Sequence, residues 1–202
     1  ILNEDGTMAR RPELEKFAEK HNLKIGTIAD LIEYRNLNET TIQKVAQCNM
    51  PTEYGDFELH TFKDSIDNQL HFALKKGEIK EDEPTLVRVH LHNTFSDLLG
   101  STRGIHRSMT LADGMRKISE EGGVLVLLGK EEHIESQVRR FAAEDRGERP
   151  TGADWQGSSR TIGVGSQILA SMGVHKMRLL SKPIKYHALS GYGLKVVEYV
   201  HD

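Results

Sequence analysis

The segment Arg88-Val89-His90-Leu91-His92-Asn93-Thr94-Phe95-Ser96-Asp97-Leu98-Leu99-Gly100-Ser101-Thr102-Arg103-Gly104-Ile105-His106 changes character half-way along. Its approach reads as a strand, because Thr85, Val87 and Val89 alternate with Leu86, Arg88 and His90, and β-branched residues favour a pleated surface. From Asn93 onward, Ser96, Asp97 and Gly100 are turn formers, and the spacing predicts a loop. Upstream lie three further strand-like segments: Ile42 to Met50, Phe57 to Phe62, and Gln69 to Leu74. Turns at Tyr54-Gly55-Asp56 and at Asp64 to Asn68 separate them. Downstream, Leu111, Met115 and Ile118 share one face of a helix over Leu111 to Glu121, and Gly122-Gly123 stops it. Val124 to Leu128 is a continuous apolar run, as in a strand covered on both sides. A charged helix over Glu131 to Glu144, a glycine-rich loop over Asp145 to Arg160 that holds Trp155, and a helix over Ile162 to Met172 follow. Strands at Lys176 to Ser181 and Leu194 to Val200 close the chain. Strands and helices in this order predict an α+β fold, a mixed β-sheet with flanking helices.

The chain of 202 residues suits one domain, or one domain plus a fragment. Its 37% hydrophobic and 28% charged residues are ordinary for a globular protein. A formal charge of −3 offers nothing for nucleic acid or a membrane surface to attract, and no run of 18 apolar residues is present to span a bilayer. Cys48 is the single cysteine, which excludes an intrachain disulfide and any multi-cysteine metal site. With no signal segment visible, a cytoplasmic protein is expected. The first residue is Ile1 rather than Met, so the natural N-terminus is expected upstream.

Residues 1–35 form a small unit of their own. Pro12 suits the first turn of a helix running to about His21, with Leu14, Phe17 and Ala18 on its apolar face and Asn22 as a stop. Leu23 to Gly26 reads as a short strand, and Thr27 with Asp30 as the capping pair of a second helix. The unit is too small to bury its own core. The polar run 36–41 is the expected linker, and 42–202 the main domain.

The central segment resembles the zinc loop of GTP cyclohydrolase II. That family reads Arg-Val-His-Ser-Glu-Cys and then Gly-Ser-x-Arg-Cys-x-Cys. The present chain keeps Arg88-Val89-His90 and Gly100-Ser101-Thr102-Arg103, but has Asn93, Gly104 and His106 at the three cysteine positions. Met50-Pro51-Thr52 and Gly55-Asp56-Phe57 are similar to the family's opening, so the likeness covers residues 42–202. The resemblance implies nucleotide contacts at Arg88, His90, Lys130, Glu132, Ser181 and Lys185, and a catalytic role for Arg160. The family's phosphate loop reads Arg-Gln-Glu-Gly-Arg, where this chain has Lys130-Glu131-Glu132-His133-Ile134. The glycine and the second arginine are gone, and Glu131 adds a negative charge; each change opposes phosphate binding. The aspartate paired with the arginine nucleophile is Ser158, which has no carboxylate to act as a base.

Asn3 to Arg10 and Thr27 to Leu31 resemble the C-terminal end of 3,4-dihydroxy-2-butanone-4-phosphate synthase. The resemblance implies a fusion: an upstream synthase domain in the same polypeptide, with Mg or Mn as that domain's metal, and a homodimer. For residues 1–202 it implies no cofactor, and zinc is expected to be absent.

Three readings stand. The first is a degenerate, non-catalytic cyclohydrolase-like domain. The second is a hydrolase with an altered metal site: His90 and His92 share a strand face, and with His106 they could offer three nitrogens and an open position. The third is a regulatory module that binds an anionic metabolite through Arg88, Lys130 and Arg160.

Overall fold

In the computed structural model, which describes residues 1–3, 5–103, 109–129, 132–148, 159–183 and 189–200, seven strands join in one sheet ordered β1-β2-β3-β5-β4-β6-β7. The first three, β1 (Ile42–Thr52), β2 (Gly55–Asp64) and β3 (Leu70–Lys76), form an antiparallel meander. β5 (Gly123–Leu128) joins β3 antiparallel and β4 (Thr85–Leu91) in parallel. β6 (Lys176–Leu180) and β7 (Lys195–Val200) extend the parallel half. The α+β expectation holds.

Both faces of the sheet are covered at its centre, and the apolar run in β5 shows how. Val124, Val126 and Leu128 belong to the core under helix α5 (Ser159–Ser171), with Val164, Ile168 and Leu169. Leu125 points the other way, to helix α3 (Leu111–Glu121), with Met115 and Ile118. Period-two alternation between two apolar environments produces an unbroken hydrophobic string. The α3 boundaries match the expectation, and Thr110 and Asp113 cap it reciprocally: the Asp113 amide donates to the Thr110 hydroxyl at 3.1 Å.

The N-terminal helices are α1 (Arg11–Lys20) and α2 (Ile28–Asn38). Asn22 ends α1 at φ 52°, with the Leu23 amide returning to the Ala18 carbonyl at 2.8 Å. Thr27 and Asp30 cap α2 as expected. Leu23 to Gly26 is extended but pairs with no strand, so the expected strand there is not formed; a single short segment has no ladder to complete. α2 continues through Asn38, so the first half of the expected linker is helical, and β1 begins at Ile42. α2 leans on a 3₁₀ turn, Leu189–Tyr192, where Gly191 lies so close that a Cβ would stand 2.7 Å from the Ala29 carbonyl oxygen. No helix among the described residues is long and apolar enough to cross a membrane.

Gly123 shows how tightly α3 is joined to the sheet. It has φ 132°, and a Cβ there would overlap the Leu86 carbonyl on neighbouring β4. Gly123→Ala adds both a backbone conformation that L-residues avoid and a steric clash. The expected loss of folding stability is about 2 kcal/mol or more, read as a lower midpoint in urea unfolding, whereas Gly147→Ala, where a Cβ meets open space despite φ 74°, should cost less.

Candidate functional site

Because β4, β5 and β6 are mutually parallel, the segments leaving their carboxyl ends emerge at one edge of the sheet. These are 92–103 after β4, 129 and 132–133 after β5, and 181–183 after β6. α5 is followed closely by β6, so it runs antiparallel to the strands and its N-terminus lies at the same edge. Arg160 is its second residue. The topology therefore gathers the segments that carry Arg88, His90, Glu132, Ser181 and Arg160. Lys130, Lys185, His106, Gly104, Ser158 and Trp155 lie outside the described residues, as does the side chain of Arg160.

Arg88 is 8% exposed and reaches across the sheet. Its Nη1 donates to the Leu180 carbonyl at 2.7 Å and its Nη2 to the Met109 carbonyl at 2.9 Å. It ties β4 to the end of β6 and to the approach of α3.

Two residues along the same face, His90 is buried and its Nε2 meets Asp97 Oδ2 at 2.9 Å. Facing a carboxylate, the neutral ring donates from Nε2. The same Asp97 oxygen accepts the Asn93 amide at 2.9 Å, and Oδ1 accepts the Ser96 hydroxyl at 3.0 Å. Burial pushes Asp97 upward, but these donors outweigh it and hold the carboxyl below its ordinary value. Burial holds His90 below the ordinary histidine range, with Asp97 pulling the other way.

Asp97 lies in a π-helical turn, Thr94–Leu98, where a loop was expected. Asn93 caps this turn: its side-chain Oδ1 accepts the Ser96 amide at 3.0 Å. A second carboxylate holds the turn from the β5 side. Glu132 accepts the Thr94 amide at 2.9 Å and the Thr94 hydroxyl, and lies 3.4 Å from His92 Nδ1. Helix α4 (Ile134–Asp145) begins later than expected, which leaves Glu132 ahead of it and free to turn toward β4. α4 packs onto the π-helical turn through Phe141, edge-on to Phe95 at 5.2 Å. Arg103 covers Phe141 and pairs with Asp145.

The residues at the family's metal positions do not fit a thiolate zinc site. Asn93 presents a carboxamide already used as a cap, Gly104 has no side chain, and Cys48 is exposed on β1. His90 and His92 are each directed to a different carboxylate. Among the described residues no group of three His, Cys, Asp or Glu side chains could hold a metal. Ser181 turns its hydroxyl to the Lys182 carbonyl at 2.9 Å.

Asp97 was visible in the sequence only as a turn former, and Thr94 was not singled out. Nothing in the spacing of His90 and Asp97 marks them as a pair, because a strand end and a turn share no period.

Comparison with known proteins agrees with this architecture. Residues 1–34 match the family model of 3,4-dihydroxy-2-butanone 4-phosphate synthase. A protein of that name from Photobacterium phosphoreum is 52% identical over 206 residues, covering 99% of this chain and 54% of its own length. The riboflavin biosynthesis protein RibBA of Aquifex aeolicus is 42% identical over 99% of this chain and 52% of its own. The crystal structure of RibBX, a two-domain 3,4-dihydroxy-2-butanone 4-phosphate synthase from A. baumannii, is similar with TM-score 0.58 and 40% identity, over 100% of this chain and 53% of that one. The chain thus spans about half the length of the relatives it matches. Residues 43–201, most of its length, match the family model of GTP cyclohydrolase II, and the chain belongs to that family.

Proposed function

We propose that residues 42–202 are a non-catalytic cyclohydrolase-like domain of a riboflavin-biosynthesis protein whose synthase domain precedes it in the same polypeptide, the whole being a homodimer. The observation that carries the proposal is Asn93. It stands where the family has a thiolate, and its side chain caps the turn instead. Around it, two carboxylates brace the segment that the zinc loop occupies in the resembling family: Asp97 through His90, and Glu132 through Thr94. Hydrogen bonds between side chains and backbone hold the frame of this loop. Arg88, engaged with two carbonyls, gives little support to the anion-binding reading. The synthase half is supported by the match at residues 1–34 and by an apolar surface there, with Leu23, Ile25, Ile28, Leu31 and Tyr34 all exposed. Contiguous apolar surface of this kind fits a buried interface.

Three measurements test the reading. Purified protein should yield no diaminopyrimidine product from GTP with added zinc or magnesium, and metal analysis should find far less than one zinc per chain. Turnover above a heat-killed control that Arg160→Ala abolishes would overturn the proposal. Calorimetry should find GTP bound no tighter than about 1 mM, since each lost charged contact in the phosphate loop removes roughly 2–5 kcal/mol; micromolar binding contradicts it.

The clasp itself is testable by stability. Asp97→Asn should cost about 1.5–3 kcal/mol, the usual worth of hydrogen bonds to a charged group. Acidification should act in the same direction. His90 and Asp97 are both held below their ordinary values of 6.5 and 3.8, so the unfolded chain takes up protons first at each. Stability from His90 is therefore present above pH 6.5 and declines as the pH falls below it; that from Asp97 declines below 3.8. His90→Gln should flatten the part of the stability profile between roughly pH 7 and 5, and an unchanged slope there would remove His90 from the account.

A further inference from the structure

A cavity of about 310 Å³ opens at the other end of α5, lined by Ile42, Lys44, His60, Phe62, Lys75, Ser171 and Met172. α5 is 13 residues long, so this cavity lies about 20 Å from the edge that carries Arg160. Among the described residues no acidic side chain lines it. Three basic groups do, one from each strand of the antiparallel meander: Lys44 from β1, His60 from β2 and Lys75 from β3. The rest of the lining is Ile42, Phe62, Ser171 and Met172, apolar but for the serine.

The neighbouring hydrogen bonds leave positive charge in excess. Glu58 is the carboxylate of the network: Lys75 Nζ lies 3.0 Å from its Oε2, and Gln47 links its Oε1, at 2.7 Å, to Lys44 Nζ, at 2.6 Å. The carboxylate thus meets one ammonium group directly and a second only through Gln47. The His60 side chain is only 8% exposed. Glu58 Oε1 lies 2.6 Å from its Nε2, a pair that becomes ionic when the ring is protonated.

We propose that this cavity binds the phosphate monoester of a small organic molecule, with the phosphoryl group among Lys44, Lys75 and His60 and the carbon skeleton against Ile42, Phe62 and Met172. Basic groups on three strands suit the nearly double negative charge of a phosphoryl group better than the single charge of a carboxylate. The volume is at the small end for organic ligands and leaves room for a few carbons beyond the phosphate. The site is independent of the proposed loss of catalysis at the opposite edge. Burial first, and then the nearby Lys44, hold His60 below the ordinary histidine range; a dianion in the cavity draws it back upward.

The test is titration of the intact chain with glycerol 3-phosphate, followed by calorimetry and by the His60 ring resonances in NMR. Saturable binding is expected, with the His60 resonances moving toward the protonated position at pH near 6.5. Lys44→Met with Lys75→Met, which keeps both aliphatic stems, should weaken binding about tenfold or more, with the unfolding midpoint serving as a check that the variant folds. Butyrate, which offers the apolar body and a carboxylate, should bind far more weakly. The proposal is overturned by any of three results: no saturable movement of the wild-type His60 resonances up to about 10 mM, equal affinity for butyrate, or undiminished binding by the folded double variant.

Discussion

Parallel pairing of β4 with β5 is the constraint on which the remaining architecture depends. Val87 to Leu91 sit beside Val124 to Leu128 in unbroken register at the centre of the sheet. A parallel pair requires a crossover, and α3 supplies it, which covers one face. α5 makes the next crossover, to β6, on the other face. The same pairing brings the ends of β4, β5 and β6 to one edge, so every segment that resemblance marks for nucleotide contact leaves the sheet there. Shifting the β4–β5 register by one residue would turn Arg88 and His90 away from Leu180 and Asp97 and present Val87 and Val89 in their place.

The fold was legible where one physical signal dominated. α3 was bounded correctly because its apolar stripe is flanked by a strong cap at Thr110 and two glycines. β5 was legible because five apolar residues in a row leave few alternatives to a doubly covered strand. The π-helical turn after β4 was not, because Asn, Ser and Asp signal a turn without specifying how many residues it closes over. Leu23 to Gly26 has the composition of a strand, but a strand is completed by its neighbour, and a neighbour is not a local property.

The candidate site divides along the same line. Arg88, His90 and Glu132 were identified by resemblance, and the structure places all three near one another. What each does could not be read from the sequence. Arg88 serves two carbonyls, His90 an aspartate seven residues on, and Glu132 a threonine on a different strand exit. These partnerships arise from tertiary approach, and each satisfies a buried donor or acceptor that would otherwise be costly. The segment after β4 is held by capping, by two carboxylates and by an aromatic contact to α4.

The order of strands in the sheet also bears on how the chain reaches its fold. β1, β2 and β3 are joined by short turns and pair with their neighbours in sequence, so the meander needs only local contacts. β3 then waits for β5, about fifty residues further along, before its second edge is covered. During synthesis the meander emerges first, with the Leu70–Lys76 edge exposed until the central parallel pair arrives. The outer strand β1 meanwhile carries an irregularity between Lys44 and Ala46 and a proline at 51, both of which discourage another chain from adding to it. Protection against misassembly is thus built into the permanent edge, while the temporary one at β3 relies on the speed with which the rest of the sheet closes.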